Sequence, residues 1–308
     1  MSPAAKPARR SRAWRLPGQH WLVVIPPYIW LLLFFVIPFA IVFKISLAES
    51  AIAQPPYTAF YEYVDDVLTF RVSFANYLFL LTDSLYFNAY ISSLRIAAIS
   101  TLICLVVGYP IAYGIARTQG PLQSLLLMLV ILPSWTSFLV RIYAWMGLLR
   151  NNGIINNVLL SLGVVDEPIR MMNTEFAVYI GIVYTYLPFL ILPLYANLVK
   201  LDNRLLEAAT DLGAGPVSRF LRITLPLSMG GVIAGCMLVF IPVVGEFVIP
   251  ELLGGSETLM IGKVLWGEFF NNRDWPVASA VATVMLVLLL IPITLFHRYQ
   301  FREMEAND

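Results

Sequence analysis

Carboxylates carry most of the chemistry this sequence offers, and they stand in two unusual settings. Glu207 and Asp211 flank Ala208-Ala209 within LEAATDLGAGPVSRFLRITLPL, residues 206–227, a polar interruption between long apolar runs. Glu246 closes one of those runs inside VVGEFVIPELL, with Glu251 just beyond it. An ionisable residue at membrane depth is costly and by default points to function. Pro242, Gly245 and Pro250 around Glu246 predict a broken helix, which a membrane tolerates where the backbone faces protein or a watery cavity. The blander reading places Glu246 at an interface, where it only terminates the span. Enzyme chemistry is thin: no G-x-S-x-G and no intramembrane proteolytic dyad is present. His20 and His297 sit at span ends without H-E-x-x-H spacing and read as snorkelling side chains. Cys104 and Cys236 fall in or near apolar runs, where cysteine behaves as a small hydrophobe. No catalytic residue and no metal site is expected. A phosphate-binding G-x-x-x-x-G-K-[ST] is also missing, since Gly262-Lys263 lacks the upstream glycine and precedes Val264.

The elements that must position these residues follow from composition. With 59% hydrophobic and 13% charged residues, the chain holds more apolar surface than a water-facing globule can hide. Runs free of Asp, Glu, Lys and Arg occur at 21–43, 96–116, 118–140, 176–199, 223–245 and 275–297, each near the roughly 20 residues that cross the hydrocarbon. An all-α integral membrane protein of six spanning helices follows, with both termini on one side. Lys6, Arg9, Arg10, Arg12 and Arg15 mark that side as cytoplasmic. In this topology basic residues concentrate inside and acids outside, and the acid excess outside points to cationic cargo. Residues 1–20 are read as a basic tail, 21–300 as one membrane domain and 301–308 as a C-terminal tail. The apolar run 21–43 is too long for an ordinary signal core and is read as a retained first span.

Three outer loops are expected at about 45–90, 141–175 and 247–274, the middle one containing an amphipathic piece from Ile154 to Leu162. The one sizeable inner loop, roughly 200–226, reads as two short helices. Asp202 or Asn203 caps the first, and Leu205, Leu206, Ala209 and Leu212 give it an apolar face. Gly213 stops that helix, and Pro216 suits the first turn of the next. A helix-turn-helix lying on the membrane surface needs no partner, but the shallow Ala208-Ala209 surface beside two carboxylates suits close docking by another protein.

Glu207-Ala208-Ala209, Gly213 and Ile223-Thr224-Leu225-Pro226 match the pattern E-A-A-x3-G-x9-I-x-L-P at every position. This resembles permease subunits of binding-protein-dependent ABC importers. ILPSWTSFLVRIYAWMGLLRNNGIINN, YTYLPFLILPLY, GEFVIPELLGG and NNRDWPVASA extend the resemblance to spermidine/putrescine permeases, and among these to the first permease of putrescine systems. The resemblance implies a type I importer permease fold with its core at about 88–298. It also implies a coupling helix that seats on a cytoplasmic homodimeric ATPase: Ala208 and Ala209 touch it, Glu207 makes a polar contact, Asp211 lies alongside, and Gly213 permits the turn. ATP and Mg would be bound by that ATPase and not by this chain. A second, homologous permease and a periplasmic polyamine-binding protein complete the implied assembly, in a bacterial inner membrane. No nucleic-acid partner is expected.

For polyamine cargo the pathway needs carboxylates for the ammonium ends and aromatic faces for the charges and methylenes. Glu246 and Glu251 are the candidate acids, and Trp135, Tyr143, Trp145, Tyr184 and Tyr186 the candidate aromatics, although aromatics also serve as interfacial anchors. A solvated or structural role for Glu251 is the competing reading. Asn271, Asn272, Arg273 and Asp274 with Trp275 are candidates for contact with the docked binding protein, unless Arg273 and Asp274 form only an exposed ion pair. The rival class is an ion-coupled secondary transporter of organic cations, which would be expected to show an internal repeat and charges buried at mid-membrane.

Overall fold

The computed structural model describes residues 19–64, 67–256 and 258–307. The basic segment 1–18 and the side chains of His20 and His297, and with them the readings made of the tail and of both histidines, lie outside the described residues. Among the described residues four helices are long and apolar enough to cross a membrane unbroken: Val23–Ser46, Ser84–Arg117, Glu175–Leu198 and Trp275–Leu295. Two more spans arise if each bent pair counts as one: Pro121–Trp135 with Phe138–Ser161, bent by 89°, and Pro216–Leu227 with Met229–Val244, bent by 66°.

Both bends fall inside charge-free runs, 118–140 and 223–245, whose composition gives no sign of a turn. In the first, the helix Pro121–Ile131 tightens into a 3-10 turn, Leu132–Trp135, where Pro133 removes a backbone donor. Thr136 then closes the turn by donating both its amide and its hydroxyl to the Pro133 carbonyl. In the second, Pro226 and Ser228 mark the corner, with the Ser228 hydroxyl 3.1 Å from the Leu225 carbonyl. Absence of charge reports solvent preference and carries no direction, so a turn built from apolar residues and proline escapes it.

The expected helical architecture otherwise holds, with one addition in the 45–90 loop. Tyr61–Val64 and Val67–Phe70 form an antiparallel pair with Tyr61 opposite Phe70, followed by a helix, Ala75–Thr82. Ser84–Arg117 begins well before the apolar run does, capped by the Asp83 carboxylate, which accepts from the Leu85 amide at 2.8 Å. It therefore carries Arg95 inside the helix, where Glu175 neutralises it.

Ser84–Arg117, Glu175–Leu198 and Met229–Val244 pack into a central bundle. Ile96, Ile182, Leu190, Ile191, Leu194 and Val239 are fully or almost fully buried between them. Lipid tails are as apolar as leucine, so this association rests on close packing rather than on exclusion of water. Gly235 shows how close: a Cβ there would lie 2.9 Å from the Leu190 carbonyl oxygen. Val23–Ser46 runs along Trp275–Leu295 at the edge of the bundle and leaves most of its apolar surface exposed.

Candidate functional site

The polar interruption folds as its local signals predict. A helix spans Asn203–Asp211, and of the two candidate caps Asp202 serves, its Oδ1 accepting from the Arg204 amide at 2.9 Å. Gly213 takes φ +80°, a left-handed conformation that favours glycine. Its amide donates to the Thr210 carbonyl at 2.8 Å and that of Ala214 to Ala209 at 2.9 Å, the paired bonds of a Schellman stop. Pro216 opens the next helix. Glu207, Ala208 and Asp211 are exposed and Ala209 half-buried. On the apolar face Leu206 is half-buried, while Leu205 and Leu212 lie exposed, Leu212 at 89%.

Nonlocal contacts fasten this projection to the bundle. Arg117, the last residue of its span, hydrogen-bonds the Asn203 side chain and lies 5.1 Å over the Tyr113 ring. Tyr109 and Tyr113 both meet Phe220 edge-on, and the Tyr109 hydroxyl is 2.8 Å from that of Ser228. Arg219 donates to the Thr210 hydroxyl at 2.7 Å, closing the two short helices on each other. Sequence reasoning missed this role of Arg117. A cation at the end of an apolar run was the available sign.

Glu246 occupies the predicted break, between Met229–Val244 and the short helix Val248–Leu252. It is 9% exposed. One carboxylate oxygen accepts from the Val248 amide at 3.0 Å and the other from the Tyr186 hydroxyl at 2.6 Å. The carboxylate thus caps the N-terminal end of the short helix, where partial positive charge favours it. Among the described residues no Lys or Arg pairs with it.

The remaining candidates separate. Tyr186 is joined to Glu246 and stands 6.1 Å from Phe189. Tyr184 meets Trp145 edge-on at 5.5 Å, while Trp135 and Tyr143 are exposed on the neighbouring bent pair, away from these ring contacts. Glu251 is not a free acid, because its Oε2 lies 3.1 Å from Lys263 Nζ. Asn272 donates to Glu268 at 2.9 Å, and the other Glu268 oxygen accepts from the Tyr86 hydroxyl at 2.8 Å. Asp274 caps the last long helix through the Val277 amide at 3.1 Å. Arg273, at φ 56°, is exposed beside them. An aromatic series was not anticipated: Phe247 stacks on Trp266 at 4.4 Å, and Trp266 meets Phe270 at 4.1 Å, so rings continue outward from the residue next to Glu246. The density of aromatics over 266–275 was the sign in the sequence.

A bundle of apolar helices that bends its spans and keeps a carboxylate in a helix break has the architecture of a membrane permease. The chain belongs to the family of binding-protein-dependent transport system inner membrane components, whose model matches residues 20–306. The spermidine/putrescine transport system permease protein PotB of Haemophilus influenzae is 43% identical over 269 residues, 87% of this chain and 90% of that protein. PotB of Escherichia coli K12 is 46% identical over 218 residues, 71% of this chain and 79% of that protein. A chain from a bacterial alginate ABC transporter, solved in complex with an alginate pentasaccharide-bound periplasmic protein, matches with a TM-score of 0.68 at 18% identity. That match covers 94% of this chain and 98% of the other and is a likeness of fold.

Proposed function

We propose that this chain is the membrane permease subunit of an ATP-driven polyamine importer, taking putrescine or spermidine inward. Its similarity to the PotB permeases motivates the substrate class, and the observation that carries the reading is Glu246. A carboxylate that is nine-tenths buried, hydrogen-bonded and without a cation of its own is a charge awaiting a partner. An ammonium group passing the break supplies that partner, and the neighbouring faces of Tyr186, Phe247 and Trp266 suit the methylenes and the charge. Trp135, Tyr143 and Tyr184 would meet the cargo farther along, and Glu251, paired with Lys263, would act at the rim.

A second, homologous permease encloses the pathway with this one. A cytoplasmic homodimeric ATPase binds ATP and Mg and seats against Glu207, Ala208, Ala209 and Asp211, with exposed Leu205 and Leu212 beside them. The Schellman stop at Gly213 and the Arg117–Asn203 link make that projection rigid, so closure of the ATPase moves the bundle rather than flexing a loop. Both termini lie in the cytoplasm, and a periplasmic binding protein delivers the cargo to the far side, near Asn272, Arg273 and Asp274. The test is uptake of labelled putrescine and spermidine into proteoliposomes holding the whole complex. Uptake that requires ATP and the loaded binding protein, and that falls in Glu207→Arg with assembly intact, is the expected result. Uptake undiminished without ATP would overturn it.

A further inference from the structure

Residues 150–174 form a rigid hairpin-like excursion between two spans. The chain leaves the helix Phe138–Leu149 at Arg150, runs through the helix Ile154–Ser161, and returns past Arg170 to Thr174, which caps Glu175–Leu198. Asn156 holds the two arms together and is fully buried. Its Nδ2 donates to the Arg150 carbonyl at 3.3 Å and to the Ile169 carbonyl at 2.9 Å, while its Oδ1 accepts from the Ile169 amide at 2.9 Å. One side chain thereby fixes the backbone at Arg150 and immediately before Arg170. Asn173, held in the left-handed region at φ 60°, donates its amide to the Leu253 carbonyl at 3.1 Å and secures the far end.

Between the arms lies an open groove of about 730 Å³, with Arg150, Asn151, Arg170 and Asn173 on its walls and Met172 and Leu252 in its floor. Arg150 and Arg170 are exposed. Among the described residues neither guanidinium has a carboxylate, hydrogen-bond or ring partner, whereas nearby Arg95 is paired with Glu175. Two unpaired forks on a preorganised backbone match carboxylates, which they bind in bidentate fashion with little ordering cost.

We propose that this groove is the docking seat for acidic side chains on the soluble binding protein that brings the cargo, an inference that rests on the importer reading above. Like charge excludes the polyamine itself as the occupant. The floor residues Met172 and Leu252 pack against the central core, so the groove stands over the helix bundle rather than on its lipid-facing edge. It also sits at the opposite end of the 24-residue helix Glu175–Leu198 from the Asn203–Asp211 projection, about 36 Å away at the rise of a helix. A protein seated there and an ATPase on the projection hold the two ends of the same bundle. At the turn 272–274 the same partner would make a secondary contact through exposed Arg273, since Asn272 and Asp274 already bond within the chain.

The experiment measures ATPase rate against the concentration of polyamine-loaded binding protein, with the complete complex in lipid nanodiscs. Wild type is compared with Arg150→Glu, Arg170→Glu, the double reversal, and Arg170→Gln, which removes charge without adding the opposite one. Assembly is checked by gel filtration. The half-maximal concentration is expected to rise about tenfold or more in the double reversal, less in Arg170→Gln, with the wild-type value the most salt-sensitive. A wild type that responds while all variants share its half-maximal concentration overturns the proposal and leaves the importer reading standing. A wild type that no loaded binding protein stimulates overturns both. If the shift is present in nanodiscs containing phosphatidylglycerol and vanishes in purely zwitterionic ones, the groove takes lipid phosphate and the proposal fails.

Discussion

Replacing Glu246 by Gln separates its two roles because they respond with different size. The substitution keeps the shape and removes the charge. In the resting protein two charge-assisted hydrogen bonds, from Tyr186 at 2.6 Å and Val248 at 3.0 Å, become neutral ones, a loss of about 1 kcal/mol each. Against that, a buried carboxylate without a counter-ion carries a desolvation cost of several kcal/mol, part of which the neutral amide relieves. The terms oppose, so the thermal stability of the purified complex is expected to change little. Transport has no such offset, since an ammonium ion passing the break loses its charged acceptor, worth about 1.5–3 kcal/mol. Uptake at low polyamine concentration is expected to fall roughly 10- to 150-fold. Glu246→Asp keeps the charge but is too short to hold both Tyr186 and Val248, so it should lose stability while retaining more transport than Gln. The assay pairs labelled-polyamine uptake in proteoliposomes with thermal unfolding of the same preparations. If Gln lowers stability and uptake in proportion, Glu246 is a structural cap alone; if uptake at low substrate is unchanged, cargo does not pass beside it.

Arg117→Ala removes both the bond to Asn203 and the contact over Tyr113; ATPase binding should survive while transport per ATP hydrolysed falls several-fold, and an unchanged ratio in proteoliposomes would show that the link transmits nothing. Gly235→Ala places a methyl carbon 2.9 Å from the Leu190 carbonyl oxygen, an overpacking cost of about 1–3 kcal/mol, to be seen as a lower unfolding temperature; a wild-type temperature would mean that the bundle yields there.

How far the sequence revealed the molecule depended on the range of the physics involved. The Asn203–Asp211 projection was legible almost residue by residue, because an aspartate cap, a left-handed glycine and a proline at the first helical position act over a few residues. The break at Glu246 was legible for the same reason, through Gly245 and the prolines beside it. The bends at Thr136 and Ser228 were hidden, since charge-free windows register composition and not direction. The partners were hidden more deeply. Glu246 meets Tyr186 across 60 residues, and Arg117 meets Asn203 across 86; no local pattern records such pairings. Glu251 gave no sign of its partner until the fold brought Lys263 to it.

The Ser84–Arg117 helix has a consequence of its own. At 34 residues it is about 51 Å long. It bears on the two-helix projection at Arg117, on the neighbouring span at Arg95 and on Glu268 through Tyr86 near its other tip. A helix of that length that tilts as a unit about its centre behaves as a seesaw. A tilt of 5° about the centre would carry each tip roughly 2 Å in opposite senses, given that length. A nudge delivered beneath the projection would then be felt, with its direction reversed, at the aromatic rim on the far side, without passing through the break at Glu246.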